Sequence, residues 1–187
     1  MSSTASPNGL APINHPSGVV RPFAMTILTG YATAIYQNQP VKIVPSSTGE
    51  GTIAAAAVGD RFIGTFQGVE WTDSDGRRRV SNKWTASTAA TEVVAYVTID
   101  QTITYSIQSS AALAITDIGK QYDFTTGAGN ATTGISSQAL DAASAATNAS
   151  LRVIGLVPGP DNAWGDTYVN VLVQISEHQN TADVAAY

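Results

Sequence analysis

Residues 151–178 read LRVIGLVPGPDNAWGDTYVNVLVQISEH, and the fold is decided here. The second half alternates strictly: Val169, Val171, Val173 and Ile175 point one way, while Tyr168, Asn170, Gln174 and Ser176 point the other. Successive side chains on a strand leave opposite faces, so a period of two marks a strand with one face buried. The first half, LRVIGLV, is a second strand, and the Pro/Gly-rich turn after it ends in Asn162-Ala163-Trp164-Gly165-Asp166. A C-terminal β-hairpin over residues 151–178 is expected, with nothing catalytic on it.

The same pattern recurs upstream. From Arg21 onward, short apolar runs (PFAMTIL, YATAIY, VKIVP, GTIAAAAV, RFIGTFQGVEW, RVSNKW, TEVVAYVTI, TITYSI) are separated by Gly, Pro, Asn, Asp and Ser. Short strands at such spacing predict a single all-β domain over residues 21–187, a small β-barrel or β-sandwich. Within residues 62–84, two candidate strands flank Thr72-Asp73-Ser74-Asp75-Gly76, and Asp-Gly tolerates the positive φ angles of a tight hairpin. Across residues 92–100, Val93, Ala95, Val97 and Ile99 are expected to face inward, and Glu92, Tyr96, Thr98 and Asp100 outward.

Two segments break the rhythm. Residues 1–20 carry Pro7, Gly9, Pro12, Pro16 and Gly18, which interrupt regular hydrogen bonding and predict an extended N-terminal arm. Its removal, over residues 2–18, is expected to leave a folded body. Residues 125–150, TTGAGNATTGISSQALDAASAATNAS, lack aromatics and offer only Ile135 and Leu140 as anchors, the composition of a long surface loop. Alanines in residues 139–149 favour a helix, but Ser, Thr and Asn compete for its backbone and no apolar stripe recurs at helical spacing.

Composition bounds the function classes. A chain of 187 residues suits one domain and can bury roughly two-thirds of its extended surface. Charged residues are 12%, against about 25% in an ordinary soluble domain, so the surface carries little long-range field and suits permanent packing against neighbours. The net charge is -5, and the lysines are Lys42, Lys83 and Lys120 alone. Phosphate binding needs clustered Lys and Arg, so neither nucleic acid nor an anionic membrane is an expected partner. The lack of cysteine excludes disulfides, thiolate metal sites and a Cys nucleophile. The opening residues, MSSTASPNGLAPINHPSG, show neither the basic nor the apolar region of a signal peptide, and no stretch nears the roughly 18 apolar residues of a membrane span. A soluble, unexported chain is expected.

Groups able to do chemistry are scarce. His15 and His178 have no acidic or histidine neighbour at metal-ligand spacing and read as exposed polar residues at the edges of the fold. No Gly-x-Ser-x-Gly elbow frames a serine nucleophile. The Gly127–Gly134 run lacks the Lys-Ser/Thr ending of a phosphate loop. Asp73-Ser74-Asp75-Gly76 resembles part of a calcium loop, but Trp71 and Asn82 occupy positions that need ligands. The sequons at Asn130 and Asn148 are short enough to arise by chance in a Ser/Thr-rich chain. No enzyme activity, cofactor or metal is expected.

One charge feature stands out, Arg77-Arg78-Arg79, which holds half of the arginines. One reading is an edge strand protected from aggregation by positive charge. The other is a projecting hairpin whose guanidinium groups pair with carboxylates on another subunit. Trp71 and Trp84 flank this hairpin and Trp164 lies in the last turn; each suits core or cross-strand packing. The candidate partner-binding residues are Arg21, Arg77, Arg78, Arg79, Trp71 and Trp84.

The closing LRVIGLV and PDNAWGDTYVNVLVQISEH, the preceding Asp117-Ile118-Gly119-Lys120 and the TTG and ALD of the loop resemble the capsid decoration, or cement, proteins of tailed bacteriophages. The resemblance covers about the last 75 residues of the 187. It implies a β-barrel or β-tulip-like body, assembly into homotrimers or other clusters, and binding to the outer surface of the major capsid protein lattice. It also implies residence on the virion surface, and in the host cytoplasm during assembly. The arm would then order by adding a strand to a neighbour. Two alternatives carry different expectations. A head-fibre or tail component would be present in few copies per particle. A carbohydrate-binding β-sandwich for host attachment would use Trp71, Trp84 or Tyr168 as stacking platforms.

Overall fold

A computed structural model describes residues 4–46, 51–127 and 129–181. Residues 1–3 of the expected arm, Ala128 of the expected loop and residues 182–187 of the expected body lie outside it. The chain is all-β and sandwich-like, with one 3-10 turn at Ile115–Asp117 among the described residues. The first sheet is antiparallel, in the spatial order β1 (Ala11–Asn14), β10 (Thr104–Gln108), β15 (Asn170–Ile175), β14 (Leu151–Leu156) and β11 (Gln121–Tyr122). The second runs β2 (Phe23–Met25), β9 (Ala90–Thr98), β6 (Gly64–Asp73), β4 (Pro40–Ile43) and β5 (Ile53–Ala55), with β7 (Arg78–Ser81) paired to the far half of β6. Two short ladders complete it: β3 (Ile35–Tyr36) with β8 (Lys83–Trp84), and β12 (Gly129–Asn130) with β13 (Ile135–Ser136).

The C-terminal hairpin forms as its alternation predicts. β14 and β15 pair with Val153 opposite Val173, and Ile154 bulges out of the ladder. Val169, Val171 and Val173 are fully buried. Their long connection is held by one side chain. The Asn162 carboxamide accepts the Asn170 N–H at 2.9 Å and donates to the carbonyls of Val157 and Asn170, both at 2.8 Å, standing in for a strand where the two ends splay. The β6–β7 hairpin also forms where Asp-Gly places it. Gly76 has φ +79 and donates to the Asp73 carbonyl at 2.9 Å, and Asp73 N–H donates to Arg77, which closes a three-residue loop ending in a left-handed glycine.

Each sheet has its own core. Tyr105, Ile107, Leu151, Val153, Val169, Val171 and Val173 of the first pack with Phe62, Phe124 and Leu140, and Phe62 meets Phe124 edge-on at 5.8 Å. Ile27, Ile35, Val41, Ile53, Phe66, Trp84, Ala95 and Val97 fill the second. Full burial of one such side chain stabilises by about 1.5–3 kcal/mol. The second sheet curls around its core until Thr26, one residue past β2, forms a parallel bridge with Thr52 before β5. This falls short of closure, so of the two expected forms the sandwich is the one present and the barrel is not. At Gly64 an added Cβ would lie 1.5 Å from the Thr98 carbonyl oxygen, so glycine alone lets β6 approach β9 there.

A polar seam joins the sheets. Thr98, expected to face outward, is buried: its hydroxyl lies 2.8 Å from that of Thr65 and 3.3 Å from the Tyr105 phenol of the first sheet. The expectation failed because the second sheet is covered on both faces at this end. His178, expected to be exposed, is 3% exposed. Its Nε2–H donates to the Ile99 carbonyl at 3.1 Å, and its Nδ1 accepts the Asn180 N–H at 3.1 Å, so the neutral Nε2–H tautomer satisfies both. Burial holds its pKa below the usual 6.5.

The two irregular segments are built into this body. The arm is extended, but β1 pairs with β10 of its own chain, and Leu10 is fully buried in the first core. The expectation that residues 2–18 could be removed without harm to the body is therefore revised. The 125–150 segment contains no helix among its described residues. Leu140 and Ala139 are buried, and Ser110 N–H donates to the Leu140 carbonyl at 2.8 Å, so the expected surface loop is anchored in the body at Leu140 while residues 130–133 and 145–148 are exposed.

Leu10→Ala should lower unfolding free energy by about 2–5 kcal/mol, read from a urea titration; an unchanged midpoint would show that the arm does not pack. For His178 the sign is set by a lowered folded pKa: the unfolded chain takes up the proton first. Stability should be full above about pH 6.5 and fall as pH drops below it. Denaturation at stepped pH should show this slope, and His178→Gln should flatten it.

Candidate interaction surfaces

The arginine hairpin has its counter-charges within the chain. Arg78 lies 3.0 Å from Glu70 and 3.9 Å from Glu92, and donates to the Glu92 carbonyl at 2.9 Å. Arg79 lies 3.3 Å from both Asp73 and Asp75, and Arg77 3.5 Å from Asp75. The Tyr96 hydroxyl donates to Glu70 at 2.9 Å, and this bond with Arg78 holds the Glu70 carboxyl below its ordinary range. The carboxylates that the hairpin was expected to find on another subunit are thus supplied by β6, β9 and the turn. This favours the reading of β7 as a charge-protected edge.

The tryptophans divide. Trp84 is fully buried and stacks edge-on against Trp71 at 5.8 Å, so it cannot touch a partner. Trp71 is half-buried beside it. Both indole N–H groups are buried without a hydrogen-bond partner among the described residues. Trp164 packs against the first core. As the spacing suggested, all three serve packing.

Arg21, by contrast, is exposed. It lines a groove with His15, Val19, Phe23, Asp100 and Ile103, at the junction of the arm with β2 and the β9–β10 turn. Phe23 is 59% exposed and Val19 53%. Among the described residues β2 pairs with β9 on one side, and on the other Thr26, just past β2, bonds to Gly51 and Ile53. Neither the groove nor its residues other than Arg21 were legible locally, because they come from segments about 80 residues apart. A second apolar area comprises Ile115 and Ile118 with Ile154, whose neighbour Val153 accepts the Gly119 N–H at 2.8 Å. Val80, 76% exposed, lies on the outer edge of β7.

The fold also brings together groups that the sequence separates. His15 Nε2 lies 3.1 Å from Asp100, and its Nδ1 is 2.6 Å from the Ser17 hydroxyl. The Ser17 N–H also donates to Nδ1, at 3.1 Å, so the lone pair that a general base would use is engaged in closing a turn. The arrangement ties the arm to the β9–β10 turn. The Asp100 carboxyl is held down to about 2, first by the Thr102 hydroxyl and amide and then by His15. Among the described residues no group of three or more His, Asp or Glu could hold a metal ion, and no helix is long and apolar enough to cross a membrane.

No family model matches this chain, and neither curated proteins nor solved structures include a match to it. Since the arginine network is exposed and salt-screened, Arg78→Ala should cost no more than about 1 kcal/mol, and less in high salt. Urea titrations at two ionic strengths measure this; a loss of several kcal/mol would mark the hairpin as structural.

Proposed function

We propose that this chain is a structural virion protein of a tailed bacteriophage, a decoration protein that binds the outer surface of the major capsid protein lattice and stabilises the head. The observation that carries the reading is the set of exposed apolar side chains, Phe23 beside Arg21 foremost and Val80 on β7, on a chain with only 12% charged residues. Buried against a neighbour, such side chains drive association. The resemblance of the closing hairpin to cement proteins supports the same reading.

The mechanism is multivalent. The chain joins copies of itself, with a homotrimer as the expected form, and each copy contacts neighbouring shell subunits, so modest interfaces add through effective concentration. Side-chain burial at the β2 groove replaces the free arm as the means of attachment, since β1 is already paired within its own sheet. The reading locates the chain on the capsid surface, and in the host cytoplasm during assembly.

Quantitative mass spectrometry of purified particles should find this chain in a fixed, shell-wide ratio to the major capsid protein. A handful of copies would instead indicate a fibre or tail part, and absence would overturn the virion reading. Phe23→Asp should leave stability within about 0.5 kcal/mol, because Phe23 is exposed, yet weaken binding to undecorated heads at least about tenfold. Unchanged binding by the folded variant would remove the β2 groove from the interface.

A further inference from the structure

A cavity of about 500 Å³ shares no lining residue with the groove at β2, and its volume is typical of small-molecule sites. Its aromatic walls are Tyr31, Tyr36 and Phe124, and its polar ones include Gln39, Thr126 and Gln138. The two glutamines are 8% and 4% exposed. Their carbonyl oxygens are engaged: Gln39 Oε1 accepts the Tyr36 N–H at 3.0 Å, and Gln138 Oε1 accepts the Ser136 hydroxyl at 3.3 Å. Their amino groups meet no acceptor among the described residues. Neither nitrogen is fully buried, so both stay accessible, and two carboxamide donors on one cavity wall suit an occupant with acceptor oxygens.

No Asp, Glu, Lys, Arg or His lines the cavity, so a charged occupant would be buried without a counter-ion. The Tyr31 hydroxyl accepts the Ala55 N–H at 3.1 Å and keeps its own proton to donate. The inventory is aromatic faces, carboxamide and phenol donors, and a threonine hydroxyl that both donates and accepts. We infer that this cavity binds a neutral saccharide of one or two pyranose rings. Its C–H face lies on the aromatic walls, and its hydroxyl oxygens accept from the Gln39 and Gln138 amino groups. The stacking platforms are therefore Tyr31 and Tyr36, not Trp71, Trp84 or Tyr168, none of which lines the cavity. The inference stands independently of the shell reading, because it rests on a different surface.

The test is NMR titration of the labelled full chain with neutral hexoses, N-acetylhexosamines and their disaccharides, with sialyllactose as the charged control. In the wild-type protein, at least one neutral sugar should shift the side-chain –NH2 signals of Gln39 and Gln138 and the ring signals of Tyr36, and sialyllactose should not. Gln138→Leu should weaken that binding about three- to tenfold, the worth of one hydrogen bond to a neutral group. Tyr36→Ala, at a half-buried position, should weaken it at least as much, and Tyr168→Ala should leave it unchanged. The inference is overturned if no neutral sugar shifts those wild-type signals, or if folded Gln138→Leu and Tyr36→Ala bind as the wild type does. Loss on Tyr168→Ala alone would place the site elsewhere and overturn it too.

Discussion

The buried seam between the two sheets is the constraint on which the rest of the molecule depends. Thr65, Thr98 and Tyr105 exchange hydroxyl contacts across it, and His178 closes its end by donating to Ile99. Each such bond contributes only about 1 kcal/mol net, but a polar group left unpaired there would cost about 1–3 kcal/mol. The seam therefore sets one relative placement of the sheets, whereas their two apolar cores would tolerate several. Burial also keeps the Tyr105 phenol protonated far above its ordinary range, consistent with a hydroxyl whose role is to bond within the protein.

With the sheets placed, the exposed features follow from what each strand still lacks. β6 is long enough to pair with β9 along one side and with β4 and then β7 along the other, so its centre is saturated. The outer strand β7 is not. It meets that liability with arginines paired to Glu70, Glu92, Asp73 and Asp75, while at β2 the Phe23 side chain stands exposed beside Arg21. Leu10 anchors the arm to the first core.

The cavity has a different origin. It lies where β3, the β5–β6 connection and the segment around Phe124 and Gln138 meet, a junction of short pieces that no sheet fills. Gln39 and Gln138 reach it from positions about 100 residues apart, each fixed by a backbone or hydroxyl donor to its oxygen. Polar side chains at such a junction leave functional hydrogen-bonding capacity that a purely apolar filling would lack.

Much of the fold was legible in the residues themselves. The alternation of Val169, Val171, Val173 and Ile175 determined a half-buried strand, and Asp75-Gly76 determined a tight hairpin, because strand geometry and turn geometry are local properties of the chain. The glycine- and proline-broken segments were legible as irregular, but not as buried: Leu10 and Leu140 acquire their burial from partners far away in sequence. The same holds for Thr98 and His178, whose polar character suggested exposure until a second sheet arrived to satisfy it. Local periodicity thus determined which residues form strands. Only the tertiary structure decided which faces the sheets share, which side chains stay exposed at the groove, and that Gln39 and Gln138 line one cavity, since those depend on contacts between segments whose separation along the chain carries no information about their distance in space.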